Sequence, residues 1–523
     1  MGFDDARRYH TRLVPSRLPT SARSRHGSAA DPDRTPASVR LSLALAIAAA
    51  ALLRGWLMAR LAGITMDSPL YVTMAESLQR GARASGPAHH GYPALVALVG
   101  WIVPGRELPG RLVSFAAGVL LVPLVERLAR TTAGPRWSLG AAWLVALHPL
   151  LAVYSTAVMT EASFLAVAGA GFLLLMRRRP LAAGATLGFS YLVRPEGIVY
   201  AAAAPLFARL GRRGLALAWL GSALVVAPYL GYLRWERGSW MLSPKDVVVR
   251  PVFESRGEAE WRIGGPRPIA EPHRSLIERL RWAAPSVARR YLPHLLTHLR
   301  LLLEAWPWPL LLLSAVGLAA YRGPPIAGLL TLPLLPALAV PFDVRFTQLL
   351  VPWLAAYAAA GGAWASSRRW SRAVAVASAA LAVAGLTWCW IGSAGRVAVF
   401  FDDGPMPEMR AAGAWLKEHA RPDATVMDRK AYVAFFAGLK HVQLPNDDYD
   451  TILSYARSSG ADYLVIEEYI VRQLRPQLMP LVADPAFRQR ERRVRLVHLE
   501  AGRLHAGVAV FEVMRTPAAG TSP

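Results

Sequence analysis

Residues 161–179 read EASFLAVAGAGFLLLMRRR: a carboxylate, fifteen residues without a charge, then Arg177, Arg178 and Arg179. A bilayer accepts such a block and water does not. The arginine triplet favours the cytoplasmic side, where anionic lipid holds basic loops. Related units come earlier in the chain. Leu41 to Leu61 follows a basic N-terminal stretch, and Leu108 to Leu128 runs into Arg127, Arg130 and Arg136. Over the whole chain of 523 residues, 54% are hydrophobic and 18% charged, with mean hydropathy +0.29. A soluble domain carries about 25% charge and divides its apolar residues into short segments.

Reading each basic cluster as a cytoplasmic end gives a path through the membrane. Leu139 to Tyr154 goes out and Glu161 onward returns; Leu181 to Val193 goes out and Ile198 to Phe207 returns to Arg209, Arg212 and Arg213. Leu215 to Tyr232 exits again. Later, Trp306 to Ala320 enters to Arg322, Ile326 to Val340 goes out, and Phe346 to Trp364 returns to Arg368, Arg369 and Arg372. Ala373 to Ile391 leaves the remainder outside. The expectation is an all-α polytopic membrane protein of about eleven transmembrane helices in the cell (inner) membrane, N-terminus cytoplasmic and C-terminus extracytoplasmic.

Three regions frame that path. Residues 1–38 are rich in Arg, Ser and Pro and read as a disordered basic cytoplasmic tail without a cleavable signal peptide. Residues 39–393 form the multi-span part, with outer loops at 63–107 and 233–305. Within the first loop, Tyr92 to Val103 is apolar but too short to span, so it reads as an interfacial or re-entrant helix. In the second, Leu276 to Leu303 reads as an amphipathic interfacial segment. From 394 to 523 helix-like stretches (Met409 to His419, Tyr449 to Ser458) alternate with the short apolar runs Thr425–Met427, His441–Leu444 and Tyr463–Ile466. That alternation predicts a small extracytoplasmic α/β domain that recognises an acceptor or covers a site.

The net charge of +24 does not point to nucleic acid, since its arginines sit between apolar blocks and no nucleic-acid motif accompanies them. The single cysteine, Cys389, excludes an intrachain disulfide and a Cys-based zinc site.

Four charged positions stand at the outer helix ends. Asp67 precedes Ser68-Pro69, a helix-start pattern in which its side chain would serve as an N-cap. Glu161 fits the first turn of a helix, where the macrodipole favours an acid. Arg194-Pro195-Glu196-Gly197 reads as a charged turn between two apolar halves. Arg345, in Pro341-Phe342-Asp343-Val344-Arg345-Phe346, is an outer arginine that the positive-inside bias disfavours. Together they place two carboxylates and two arginines on one side of the bundle. Sugar transfer from a lipid phosphate needs that inventory: a carboxylate to take the acceptor's proton, and cations for the departing phosphate. Arginine suits the second role, being always ionised and able to bind phosphate through two parallel hydrogen bonds.

These residues resemble the GT-C superfamily of polyprenyl-phosphate-sugar-dependent glycosyltransferases. The likeness is to the branch with protein O-mannosyltransferases and lipid A aminoarabinose transferases. It rests on Asp67 followed by Tyr71 and Ala75; on Gly91-Tyr92-Pro93; on Thr160-Glu161; on Arg194-Pro195-Glu196-Gly197; and on Arg345-Phe346 with Pro352. The resemblance implies that Asp67 is the catalytic carboxylate and Glu161 a second acid near the acceptor or sugar. Arg194, Arg345, Tyr71 and His90 would bind the phosphate and sugar of the donor. It also implies an inverting hexosyl- or pentosyl-transferase that takes a polyprenyl-phosphate sugar and a glycan, lipid or protein acceptor, with no metal or other cofactor. Two departures stand out: Ser68 follows Asp67 where many relatives carry a second acid, and His90 stands where proline is frequent. A transporter or lipid-sugar flippase, or an inactive scaffold on the same fold, are the competing readings. Topology is directly testable: reporter fusions after Arg179 and Arg213 should read cytoplasmic, and fusions near Arg250 and after Ala461 extracytoplasmic.

Overall fold

The computed structural model describes residues 36–65, 67–84, 86–238, 240–244, 276–337, 344–367, 371–401, 406–445, 447–468, 471–472, 475–502 and 507–514. Most of the expected N-terminal tail, the middle of the second loop and the turn Pro341-Phe342-Asp343 lie outside these residues.

Long apolar helices make this a membrane protein, but the expected eleven spans are not reproduced. Among the described residues five helices are long and apolar enough to cross: Ala37–Arg60, Leu108–Leu147, Arg212–Arg237, Arg345–Ser366 and Arg372–Gly392. A sixth is formed if Tyr291–Ala305 and Trp308–Ala320, bent by 103° at their junction, count as one span. Length explains the difference. Glu161–Met176, Pro180–Val193 and Gly197–Phe207 have 16, 14 and 11 residues. At 1.5 Å per residue they reach about 24, 21 and 17 Å, short of a hydrocarbon core of about 30 Å. The expected crossing at Ile326 to Val340 begins as two short helices, Ile326–Leu329 and Thr331–Ala337. Leu108–Leu147 holds two expected crossings, because it is two helices joined across Gly134, whose φ of 73° suits glycine. The loop helix Gly91–Gly100 has ten residues, and Leu276–Ala305 is amphipathic.

Backbone contacts set how closely the helices pack. A Cβ on Gly317 would lie 1.9 Å from the Tyr357 carbonyl oxygen, and one on Gly361 2.0 Å from that of Leu313. Trp308–Ala320 therefore rests directly on Val351–Ser366, the helix that continues from Arg345. Close approach through small residues is the usual packing device where lipid removes the hydrophobic drive between helices.

Arginines tie the helix ends together. Arg54, fully buried in the first helix, donates to the carbonyls of Ala146 (2.8 Å) and Val145 (3.3 Å). It thus caps the orphan carbonyls at the end of Leu108–Leu147. Arg111 does the same for the first helix, donating to Met58 (2.6 Å) and Leu61 (2.9 Å).

The C-terminal part forms a five-stranded sheet of order β2-β1-β3-β5-β4: β1 Thr425–Asp428, β2 Lys440–Gln443, β3 Tyr463–Glu467, β4 Val494–Glu500 and β5 Val508–Val513. β1 pairs in parallel with β2 and β3, while β5 runs antiparallel to β3 and β4. One face, with Met409, Leu416, Val426 and Val433, belongs to the same apolar core as the membrane helices. The other packs Ile452, Leu453 and Leu481 into a separate core. Docking is reinforced where Arg106 donates to the Phe435 carbonyl and lies 4.0 Å over its ring, and where Arg410 meets Glu107 at 3.3 Å.

Gly361→Val should force apart two helices in backbone contact, at a cost of about 1–3 kcal/mol or more. Gly140→Ala, which meets open space, should stay within about 0.5 kcal/mol. Thermal unfolding of the two variants in detergent checks the contrast.

Candidate active site

Two hydrogen bonds on Val158 place the first loop. Its N–H donates to the Gly63 carbonyl at 2.9 Å, and its carbonyl accepts from Ser68 Oγ at 2.9 Å. Ser68 also accepts from the Thr65 N–H at 2.8 Å, so its hydroxyl is committed to holding the turn. A second carboxylate at position 68 would face a carbonyl oxygen in a buried setting, which accounts for the departure seen in the sequence.

Asp67 stands at the N-cap position of Ser68–Gln79, yet its side chain makes no capping bond. The capping reading therefore does not hold. Instead Arg345 Nη1 donates to Oδ2 at 3.2 Å and Lys430 Nζ to Oδ1 at 3.2 Å. The carboxylate stays 26% exposed and Lys430 33%, so both are reachable by a ligand.

Glu161 opens its helix as expected, with a larger commitment than a dipole contact. Its Oε1 accepts from Arg194 at 2.7 Å, and Arg194 also meets Glu196 Oε1 at 2.8 Å. Arg194 is 5% exposed and Glu161 1%. The turn is tight because a Cβ on Gly197 would fall 2.3 Å from the Tyr191 nitrogen. One cation thus sits between two carboxylates. Glu161 Oε2 is buried with no hydrogen-bond partner among the described residues. Such an atom is costly unless it serves a function.

Phe346 joins the two clusters. Its ring lies 4.8 Å from the Arg345 guanidinium and 5.8 Å from that of Arg194. Tyr71 is buried edge-on to Tyr92 at 5.3 Å. Burial holds its hydroxyl well above the usual phenol range, and the charges of Asp67 and Glu161 push the same way. Asp67, Arg345, Tyr71, Glu161 and Arg194 are thus brought together. His90 is not among them. Its Nδ1 lies 3.1 Å from the Tyr229 hydroxyl, its Nε2 3.1 Å from the Ala84 carbonyl, and Glu236 is 3.8 Å away.

The C-terminal sheet supplies groups that the sequence reading did not assign. The carboxyl ends of β1 and β3 present Asp428, Arg429, Lys430 and Glu467, with Tyr432 just beyond. Ligand sites in parallel sheets form outside such strand ends. Burial raises Glu467 to about 8, with Asp428 adding to the effect. Burial also lowers the Lys430 ammonium, against the pull of Asp67. Burial raises Asp428, opposed by His441 at 2.7 Å. A sequence signal was available: Asp428-Arg429-Lys430 directly follows the short apolar run 425–427, and only four of the 59 basic residues are lysines. Among the described residues no group of three or more His, Cys, Asp or Glu could hold a metal ion.

Comparison with solved structures supplies the fold's relatives. The Archaeoglobus fulgidus oligosaccharyltransferase, tethered to an acceptor peptide, matches with TM-score 0.55 and 13% identity over 84% of this chain and 72% of that one. ArnT from Cupriavidus metallidurans in the apo state matches with TM-score 0.55 and 11% identity over 91% and 98%. ArnT bound to undecaprenyl phosphate matches with TM-score 0.52 and 11% identity over 90% and 98%. The chain shares its fold with these solved membrane proteins. No protein-family model matches the chain, and no curated protein does.

Glu467 gives a prediction with a definite sign. Between its unfolded value near 4.5 and about 8, the folded protein holds a proton that the unfolded chain releases. Stability therefore falls as pH rises through that window. Thermal unfolding between pH 5 and 8 should show a decline that is shallower in Glu467→Gln. Equal slopes would mean that Glu467 is ionised in the fold.

Proposed function

We propose that the chain is a membrane glycosyltransferase that moves a sugar from a polyprenyl-phosphate donor to an acceptor hydroxyl on the extracytoplasmic side. The observation that carries this reading is Asp67: a carboxylate at a helix start that caps nothing and is held between two cations. Asp67 takes the proton of the acceptor hydroxyl as its oxygen bonds to the anomeric carbon. The bond from that carbon to the phosphate oxygen breaks, and its electron pair leaves with the phosphate. Inversion of the sugar, a hexose or pentose, follows from a single displacement. The leaving group departs as an anion, so no general acid is needed, unlike glycoside hydrolysis.

Arg345 is the phosphate ligand of this reading, able to shift its guanidinium from Asp67 to the departing oxygens. Glu161 offers Oε2 to a hydroxyl of the sugar or acceptor. Arg194, expected at the phosphate, is better suited to holding Glu161, since two carboxylates already claim its guanidinium. Tyr71 lines the space between the clusters, and His90 has no part in the step. The tail at 1–38, the membrane part at 39–393 and the C-terminal part at 394–523 remain the proposed division, with no metal or other cofactor in the step. Fold neighbours solved with undecaprenyl phosphate and with an acceptor peptide support the choice of donor and acceptor classes.

Mass spectrometry of lipid-linked sugars and glycans in a deletion strain would identify the donor for a membrane assay with matched protein levels. Asp67→Asn, nearly the same shape but unable to act as a base, should lose about a hundredfold or more in turnover. Glu161→Gln should lose less. Arg345→Ala should weaken donor use, and Arg345→Lys should recover part of it because lysine lacks the planar fork. Full turnover by Asp67→Asn would remove Asp67 from the mechanism.

A further inference from the structure

We infer that Lys430, carried by the C-terminal sheet, is a working part of the transfer site: it neutralises Asp67 in the free enzyme and passes to the donor phosphate as Asp67 is protonated. This rests on the glycosyltransferase reading and adds to it a residue, and a role for the C-terminal part, beyond acceptor recognition or cover.

Position is the first support. Lys430 lies two residues past β1, and the helix Tyr432–Ala437 that follows is pinned to the membrane part through Arg106 and the Phe435 carbonyl. The backbone is therefore anchored while the side chain, one-third exposed, brings its ammonium to Asp67 at 3.2 Å. Asp67 consequently takes one cation from each half of the molecule, Arg345 on one oxygen and Lys430 on the other.

Charge is the second. In the transfer, Asp67 goes from one negative charge to none as it gains the acceptor's proton. The phosphate goes from a singly charged diester to a doubly charged monoester as it gains the electron pair of the broken bond. One unit of negative charge thus moves from a carboxylate to a neighbouring phosphate, with the total unchanged. A cation able to follow that charge stabilises both ends without recruiting a new one from water. Lysine suits this role better than arginine: it is a compact charge on a flexible four-carbon stem, where a guanidinium keeps to one planar geometry. Arg429 adds a second positive charge beside Lys430, so an anion entering there meets both.

Binding of undecaprenyl phosphate to the purified full chain tests this without knowledge of the sugar or acceptor. Asp67→Asn imitates the protonated carboxylate and frees its cations, so it should bind the lipid about five- to tenfold more tightly than the unsubstituted chain. Lys430→Met keeps the apolar stem and removes the charge. It should bind about tenfold more weakly, while Lys430→Arg should stay within about threefold. The decisive result is the coupling: in a Lys430→Met background, Asp67→Asn should gain less than about twofold. An equal gain in both backgrounds, or unweakened binding by Lys430→Met, would show that Lys430 only anchors the C-terminal part and would overturn the proposal. Should Lys430→Met not fold, Asp67→Asn still decides, because unchanged or weaker binding by that variant excludes a handover. If the unsubstituted chain binds no undecaprenyl phosphate, the lipid-phosphate donor itself is lost, an outcome distinct from failure of the coupling alone.

Discussion

Val158 carries the arrangement of the site on its two backbone groups. Its N–H reaches Gly63 and its carbonyl receives Ser68, so the turn bearing Asp67 is fastened to the strand of chain that leads into Glu161. Both bonds are buried, and a buried backbone group left unpaired costs about as much as a lost hydrogen bond. The clamp is therefore stable wherever water is excluded. Arg111 strengthens it from behind by bonding Thr156 as well as the end of the first helix. With the clamp closed, the carboxylates of Asp67 and Glu161 both act on the buried Tyr71, and Arg345 and Arg194 meet across one phenylalanine ring.

The buried charges follow one rule with different outcomes. Arg54, Arg111 and Arg194 are each met by carbonyls or carboxylates, as burial of a guanidinium requires. Arg194 is shared by two acids, which leaves Glu161 a spare oxygen for a hydroxyl. Asp67 is shared by two cations, Arg345 and Lys430. Acids outnumber the shared cation in one cluster and cations the shared acid in the other, with Phe346 between the two guanidinium groups. A sugar attached to a phosphate has the same polarity, with hydroxyl donors at one end and anionic oxygens at the other.

Charge near hydrocarbon is costly and therefore conspicuous, which is why Asp67, Glu161, Arg194 and Arg345 could be picked out from residue type and position alone. Their partners could not. Asp67 lies 278 residues from Arg345 and 363 from Lys430, and neither distance leaves a periodic trace. Lys430 is one of only four lysines and follows a short apolar run, but outside the membrane segments a charge after a strand carries no hydrocarbon cost to mark it. His90, a donor ligand by the resemblance, has its ring occupied by Tyr229 and Ala84. The C-terminal sheet was legible from short apolar runs at 425–427, 441–444 and 463–466, which correspond to β1, β2 and β3. Span number was not, because hydropathy measures how apolar a block is. The break at Gly134, the charged turn at 194–197 and the 103° bend after Ala305 decide how far each helix reaches.

The placement of Lys430 also bears on how the protein is made. Asp67 leaves the ribosome 363 residues before its second cation. At roughly 5–20 residues per second, that is an interval of roughly 20 to 70 seconds in which the membrane half exists alone. Until then the carboxylate lacks Lys430, and the apolar surface that receives Val426 and Val433 is uncovered. The C-terminal sheet, synthesised after the membrane helices, then covers that core face and brings Lys430 to Asp67. A chain halted before the C-terminal sheet would lack Lys430 at Asp67 and leave that core face uncovered.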